Sequence, residues 1–204
     1  MPATGTSTIS EALRHLRSSD PVLAGVMDAV PEKFGMAPSR NRYSSLVEAI
    51  VTQQLSGRSA RAISGRFRKL YDAPYPKPAD VLATPSPILR RAGLSVRKIE
   101  CIKEISQMIE DGRIRLNKTG RMSDEEIKEM LIQVRGVGRW TVEIFLMFGL
   151  GRMDVLPVGD LGLRKGVRRF YNLPKMPSED EVERIGKRWR PYRTVATWYI
   201  WKAQ

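Results

Sequence analysis

The amino-acid sequence predicts an all-α protein. Apolar residues recur at three- and four-residue spacing along most of the chain, and residues typical of helix caps stand before several of these segments. No run of alternating apolar and polar residues is long enough for a convincing strand, since the extended pair Val155-Leu156 is too short. With 204 residues, of which 42% are hydrophobic and 28% charged, the chain can bury a core as one domain or as two small lobes.

The first half of the chain is predicted to form a series of short helices. In residues 7–18 the apolar side chains share one face. Asp20 is a typical N-cap and Pro21 a typical first helical residue, so together they begin the second helix. The ranges predicted in this half are 7–18, 22–30, 43–55, 56–70, 79–84, 86–92 and 96–109.

Two capping boxes mark helix starts in the second half. Ser123 stands three residues before Glu126, and Ser178 stands three residues before Glu181. Pro191 marks a break before the last helix. The ranges predicted in this half are 124–134, 140–149, 161–171, 179–190 and 194–202.

Charge and cysteine content narrow the function classes. The chain has 35 Lys and Arg against 22 Asp and Glu, a formal net charge of +13, which indicates a polyanion partner such as nucleic acid; a merely soluble basic protein is the alternative. One cysteine, Cys101, and one histidine, His15, exclude an internal disulfide, a four-cysteine zinc or iron–sulfur site and a multi-histidine metal centre. The chain has no run of ~18 apolar residues and no secretory signal, which predicts a reduced, intracellular protein without a membrane partner.

The most informative segment is a glycine turn between two helices. Gly136 and Gly138 flank Val137, so backbone N–H groups can point outward where the positive end of the next helix begins. Arg135 and Arg139 stand on either side and can add charge-assisted phosphate contacts. The turn therefore predicts a phosphate-binding site, although an ordinary helical hairpin has the same two glycines.

The hairpin leads into a loop that ends in an aspartate. The turn continues as Trp140-Thr141, and further along Gly159-Asp160 precedes a basic helix. This order resembles the helix-hairpin-helix (HhH-GPD) superfamily of DNA glycosylases, and within it the bacterial 3-methyladenine DNA glycosylase II (AlkA-like) family. Residues 50–56, 138–141 and 189–201 carry further likeness, which extends over roughly 20–204.

The resemblance implies a fold and an activity. It implies one glycosylase unit over 1–204 without the family's additional N-terminal domain. It also implies two helical lobes with the active-site cleft between them. One lobe is 43–150, which includes the hairpin at 127–148, and the other combines 1–42 with 151–204. The implied enzyme flips alkylated purines such as 3-methyladenine and 7-methylguanine out of double-stranded DNA, hydrolyses the N-glycosidic bond and leaves an abasic site.

The resemblance also assigns residue roles. Asp160 would be the catalytic carboxylate, although an aspartate before a basic helix is also an ordinary N-cap. The base pocket would contain Trp140, Trp201 and Ile144, the last in place of a family aromatic. Gln54 aligns best with the intercalating wedge, with Leu55 and Gln53 beside it; Leu55 could equally end a core helix. The implied DNA contacts are Arg135, Gly136, Val137, Gly138, Arg139, Thr141, Arg164 and Lys165.

Related enzymes that also cut the DNA backbone carry a lysine where this chain has Trp140, so the resemblance implies a monofunctional enzyme without AP-lyase activity. No cofactor is implied, except a Na⁺ or K⁺ ion on the backbone of Ile132, Val134 and Val137. The implied protein is a cytoplasmic monomer, or nuclear in a eukaryote. The alternatives are a glycosylase for deaminated, oxidised or mismatched bases, and a non-catalytic DNA-binding module.

Overall fold

A computed structural model of the chain describes residues 6–55, 57–72 and 75–204. Every regular element in these ranges is helical, which confirms the all-α prediction. The α-helices are α1 (Thr6–Ser19), α2 (Pro21–Asp28), α3 (Arg42–Thr52), α4 (Gly57–Arg68), α5 (Pro78–Ala83), α6 (Ser86–Arg91), α7 (Val96–Glu110), α8 (Asp124–Leu131), α9 (Arg139–Ile144), α10 (Leu161–Phe170), α11 (Glu179–Gly186) and α12 (Arg193–Lys202). None of these helices is long and apolar enough to cross a bilayer.

The helices differ from the predicted ones at several ends and in their type. The range predicted as one helix to residue 149 is α9 followed by a π-helical turn, Phe145–Gly149, in which the buried Phe145 ring packs closely against Gly149. A 3₁₀ helix, Lys187–Trp189, follows α11 where a continuous helix was predicted. The 3₁₀ helix Leu116–Arg121 was not predicted, and Ser56, the predicted start of the fourth helix, lies outside the described residues.

The chain divides into two compact units, one formed by the residues up to Ala37 with Gly151–Gln204, the other by Pro38–Leu150. In the first unit, α1, α2, α10 and α12 pack around an apolar core that includes the fully buried Trp189. The carboxylate of Asp20 is also fully buried there. It caps α2 and accepts hydrogen bonds from the Tyr171 hydroxyl at 2.5 Å and from Trp189 Nε1 at 2.9 Å. A buried charge is tolerated when such donors replace water.

In the second unit, Pro38–Leu150, helix α3 is central and packs against α4, α7 and α9. Its side chains Leu46 and Ile50 are fully buried, as are Ile102 and Ile105 of α7. Cys101, also on α7, is a small buried core residue. Burial raises the pKa of its thiol to about 11 because the thiolate would lose its hydration. Helix α3 leads into the loop at residues 53–55, and the chain from α8 to α9 forms the glycine hairpin.

Candidate functional site

The hairpin turn, residues 132–138, lies between α8 and α9 in the second unit. Gly136 adopts a φ of +92°, a conformation that strongly favours glycine, and the side chain of Val137 is only 5% exposed. The N–H of Val137 closes the turn by donating to the carbonyl of Val134 at 3.0 Å. Gly138 is the N-cap of α9, and its own N–H meets no acceptor among the described residues. The turn therefore presents an unpaired amide at the positive end of α9, an arrangement suited to an anion.

Both arginines beside the turn are exposed. Arg139 donates from Nε to Glu143 Oε1 at 2.8 Å, and its side chain remains 56% exposed. Glu143 is almost fully buried, so this pair anchors the base of the arginine side chain on α9. Arg135 and Arg139 thus place two exposed positive charges next to the turn in the chain.

Thr141, one of the predicted DNA contacts, lies near the start of α9 and is bound within the protein. Its side chain is buried, with 2% of the residue exposed, and its Oγ1 accepts a hydrogen bond from Gln53 Nε2 at 2.7 Å. Its N–H donates to the carbonyl of Gly138 at 3.0 Å. Because the hydroxyl and the amide are both engaged within the protein, Thr141 stabilises the hairpin and does not offer a side chain to DNA.

The three wedge candidates in the loop at 53–55 have different surroundings. Gln53 is turned inward, where its side-chain amide also donates to the carbonyl of Gly136 at 3.0 Å. Leu55 is half-buried. Gln54 is exposed and has a φ of +54°, a left-handed conformation uncommon for a residue other than glycine. Of the three, only Gln54 presents its side chain to solvent.

Asp160 is the N-cap of α10 in the first unit. Its Oδ1 accepts the N–H of Leu163 at 2.6 Å and the indole Nε1–H of Trp201 at 2.9 Å. Asp160 is therefore an N-cap, as the sequence suggested. Because its carboxylate is only partly buried, capping is compatible with a catalytic role. Trp201 was predicted for the base pocket, and its hydrogen bond to this carboxylate has no signal in the sequence, since the two residues lie 41 positions apart.

Gly162 explains how the indole approaches. A Cβ atom at this position would lie 3.0 Å from Asp160 Oδ1 and 3.3 Å from Trp201 Nε1, so a larger residue would press on both groups. The Asp160–Trp201 pair is thus a carboxylate held in one orientation by a backbone amide and an indole.

The basic residues of α10 have two distinct environments. Arg164 donates from Nε to the carbonyl of Pro177 at 2.9 Å and is partly buried, so part of its guanidinium serves the fold. Lys165 is exposed and, with Arg168 and Arg169, lines a recess of about 620 Å³. These residues are available to an anion, with Lys165 the more accessible of the two predicted contacts.

The predicted pocket residues of the second unit lie along one helical face. Trp140 is partly exposed, and Ile144, one turn later, borders a recess of about 400 Å³. Phe148, a further turn on, lines the same recess and is 40% exposed, and the carboxylate-bearing Glu48 of α3 lies on its wall. Phe148 and Glu48 were not predicted, although two four-residue steps from Trp140 through Ile144 lead to Phe148.

The predicted ligands of the Na⁺ or K⁺ ion are backbone carbonyl oxygens of the hairpin turn. The carbonyl of Val134 accepts the N–H of Val137, and a carbonyl oxygen has a second lone pair beyond the one used in such a bond. Ile132, whose side chain is exposed, lies beside it at the surface. Within the described residues, no three His, Cys, Asp or Glu side chains come together as metal ligands.

Comparison with known proteins places this geometry in a family. The model of the HhH-GPD superfamily of base excision DNA repair proteins matches residues 47–191. The chain is 39% identical over 162 residues to DNA-3-methyladenine glycosylase 1 of Schizosaccharomyces pombe, covering 78% of this chain and 71% of that protein.

Solved structures agree with this. The chain superimposes with a TM-score of 0.86 and 35% identity on the S. pombe 3-methyladenine DNA glycosylase Mag1 in complex with abasic DNA, covering 94% of this chain and 95% of that one. It superimposes with a TM-score of 0.76 and 35% identity on a DNA-3-methyladenine glycosidase from Bacillus halodurans, covering 94% and 88%. The family expected from the hairpin and Asp160 is confirmed: this chain belongs to the HhH-GPD superfamily of base excision DNA repair proteins.

Proposed function

We propose that this protein is a DNA glycosylase that removes alkylated purines, 3-methyladenine and 7-methylguanine among them, and leaves an abasic site. The observation that carries the proposal is the carboxylate of Asp160, held by the Leu163 amide and the Trp201 indole at the start of α10. A module that only grips phosphates has no use for an oriented, partly exposed carboxylate. The similar proteins named as 3-methyladenine glycosylases support the choice of substrate.

The chemistry follows from the charge that develops on the sugar. A water oxygen bonds to C1′ while the bond from C1′ to the purine nitrogen breaks, and the electron pair of that bond leaves with the base. Positive charge builds on the deoxyribose in this transition state, and the Asp160 carboxylate stabilises it and orients the water, taking up its proton directly or through solvent.

Alkylated purines suit this arrangement because they need little acid catalysis. Alkylation at N3 or N7 makes the purine cationic, so it leaves as a neutral base without prior protonation. Aromatic faces attract a cationic base, and the chain offers Trp140 and Phe148 as partly exposed aromatic side chains in the second unit. The carboxylate of Glu48, on the recess that Phe148 lines, adds negative charge there.

The proposal includes release of the base without cutting the backbone. A lyase needs an amine that can form a Schiff base with the sugar, and the hairpin exit carries Trp140 in place of lysine. Burial lowers the pKa of Lys98, but its amine donates hydrogen bonds to two backbone carbonyls and so serves the fold. Lys165 is exposed on α10 beside Arg168 and Arg169 and is better suited to phosphate.

We assign the contacts with DNA to groups that are exposed in the protein. The Gly138 amide with Arg135 and Arg139 would bind a backbone phosphate, and Gln54 would fill the space left by the flipped base. A Na⁺ or K⁺ on the carbonyls of the hairpin turn would add positive charge next to that phosphate. We propose that the protein acts as a monomer.

The test is mass analysis of the bases released from methylated duplex DNA. Wild-type protein is expected to release 3-methyladenine and 7-methylguanine, and Asp160→Asn to lower release by at least about 100-fold. Asparagine is as good an N-cap as aspartate, so this variant should fold and bind abasic duplex DNA normally. The product strand should remain uncut until it is treated with alkali.

The matched control is Asp180→Asn, which changes an exposed aspartate in the first turn of α11 and should retain activity. Full activity of Asp160→Asn would refute the catalytic assignment. Salt-sensitive DNA binding by a wild-type protein that releases no base would instead identify a non-catalytic DNA-binding module.

A further inference from the structure

Lys98, on α7, has a role that the hairpin and Asp160 do not explain. Its Nζ donates to the carbonyls of Val51 and Gln53, each at 2.8 Å. These carbonyls lie at the end of α3, where helical backbone groups have no helical partner. Lys98 is partly buried, and burial lowers its pKa. Burying a charged amine costs desolvation free energy, which the two hydrogen bonds to the end of α3 offset.

Gln53 connects that segment to the hairpin. While its carbonyl accepts from Lys98, its side-chain amide donates to the Gly136 carbonyl at 3.0 Å and to Thr141 Oγ1 at 2.7 Å. One residue therefore joins the end of α3 to the turn and to the first turn of α9. Its main chain and its side chain are both used in this connection.

Helix α7 also contacts the hairpin directly, through a second residue. Cys101, three residues after Lys98, packs beneath Gly136, with its Cβ and Sγ 3.4 Å from the point where a Cβ of Gly136 would lie. Residues three apart share a helical face, so one face of α7 contacts both the loop at 53–55 and the turn. The two segments rest on a common support.

The segment between these contacts is held in an unfavourable backbone conformation. Gln54 has a φ of +54°, which a non-glycine residue keeps only when its surroundings impose it. On one side, Gln53 is bound by Lys98 and by the hairpin. On the other, the N–H of Leu55 donates to the carbonyl of Thr52 at 3.3 Å. The exposed Gln54 side chain is therefore presented by a fixed loop.

We propose that Lys98 is a positioning residue that sets the loop at 53–55 in the shape needed to open the duplex, in fixed register with the phosphate-binding turn. The proposal rests on the proposed function, because it assigns the loop to base flipping. Lys98 touches neither substrate nor reacting atoms; it acts through Gln53 and Gln54. Pre-organising this loop removes the conformational entropy cost of ordering it on each encounter with DNA.

The test compares two substrates that differ only in base pairing. One is duplex DNA with 7-methylguanine paired to cytosine; in the other the same 7-methylguanine lies in a single-base bulge and is already unpaired. For Lys98→Met, the single-turnover rate of release is expected to fall by at least about tenfold on the paired lesion. On the bulged lesion it should change by less than about threefold, because no pair has to be opened.

Three further variants test whether the effect is specific to Lys98. Lys103→Met is the matched control, since Lys103 is equally half-buried on α7 and its Nζ donates to the Leu82 carbonyl at 3.4 Å, away from the loop. Lys103→Met should leave the rates on both substrates unchanged. Lys98→Arg retains a cationic donor and should recover part of the paired-lesion rate. Gln53→Met, which keeps Lys98 and removes the side-chain link, should repeat the paired-specific loss and serves if Lys98→Met does not fold.

A direct readout is 2-aminopurine fluorescence beside an abasic analogue in a duplex that cannot be cleaved. The rise on binding reports base unstacking, and Lys98→Met should reduce that rise at saturating protein. Equal rate losses on paired and bulged lesions, or an undiminished fluorescence rise, would overturn the proposal. If wild-type protein released no base from either substrate, the proposed function would fail, and the fluorescence comparison would still decide the role of Lys98.

Discussion

Gly138→Ala separates DNA binding from folding in the hairpin. The φ of Gly138 is −103° and its ψ is 176°, which any residue can adopt, and a Cβ added there meets no atom within 4 Å. Alanine reduces the entropy of the unfolded chain, a gain of roughly 0.4–1 kcal/mol, but it is a poorer N-cap than glycine by a comparable amount. The free energy of unfolding should therefore change by less than about 1 kcal/mol.

The effect on DNA binding should be larger. A phosphate oxygen must come within about 3 Å of the amide nitrogen to accept its hydrogen. A methyl group added at Gly138 would project into open space next to this amide, and we expect it to obstruct the approach of that oxygen. Losing one hydrogen bond to a charged group costs about 1.5–3 kcal/mol, or roughly 10- to 150-fold in Kd.

The assay is fluorescence anisotropy with a duplex containing an abasic analogue, at one fixed salt concentration, alongside chemical denaturation. Gly25→Ala is the matched control, because a Cβ at Gly25 in α2 also meets no atom within 4 Å. Gly25→Ala should leave the Kd unchanged. A stable Gly138→Ala protein with wild-type Kd would refute phosphate binding at this amide.

Two further results are expected. Trp201→Phe removes the indole donor from Asp160 and should lower the rate of base release by about tenfold or more with little change in binding to abasic DNA; an equal loss in both would indicate a stacking role alone. Burial raises the pKa of Tyr43 above its usual value near 10, so the neutral hydroxyl stabilises the fold below pH 10 and this contribution is lost as the pH rises further. Unfolding free energies from pH 9 to 12 should thus fall less steeply for Tyr43→Phe than for wild type, and parallel curves would contradict this assignment.

The fold and the hairpin could be predicted because their causes are local. Helical spacing of apolar residues, the capping boxes at Ser123 and Ser178 and the paired glycines each involve residues within a few positions of one another. The local pattern identified Asp160 as an N-cap, and the catalytic role predicted for it came from the resemblance to the family. The π-helical turn after α9 was not predicted, because apolar spacing marks a helical segment without separating α-helical from π-helical turns.

The sequence by itself determined the all-α class and the position of the glycine turn, because both depend on residues within a few positions of one another, and the order of its motifs indicated the family. The tertiary structure alone decided how these parts are held. Trp201 donates to Asp160 across 41 residues, Gln53 to Thr141 across 88, and Lys98 to Gln53 across 45. No local pattern encodes such pairings, since they depend on which helices pack together. For that reason Thr141 proved to be buried support, and Gln54 the side chain that faces solvent.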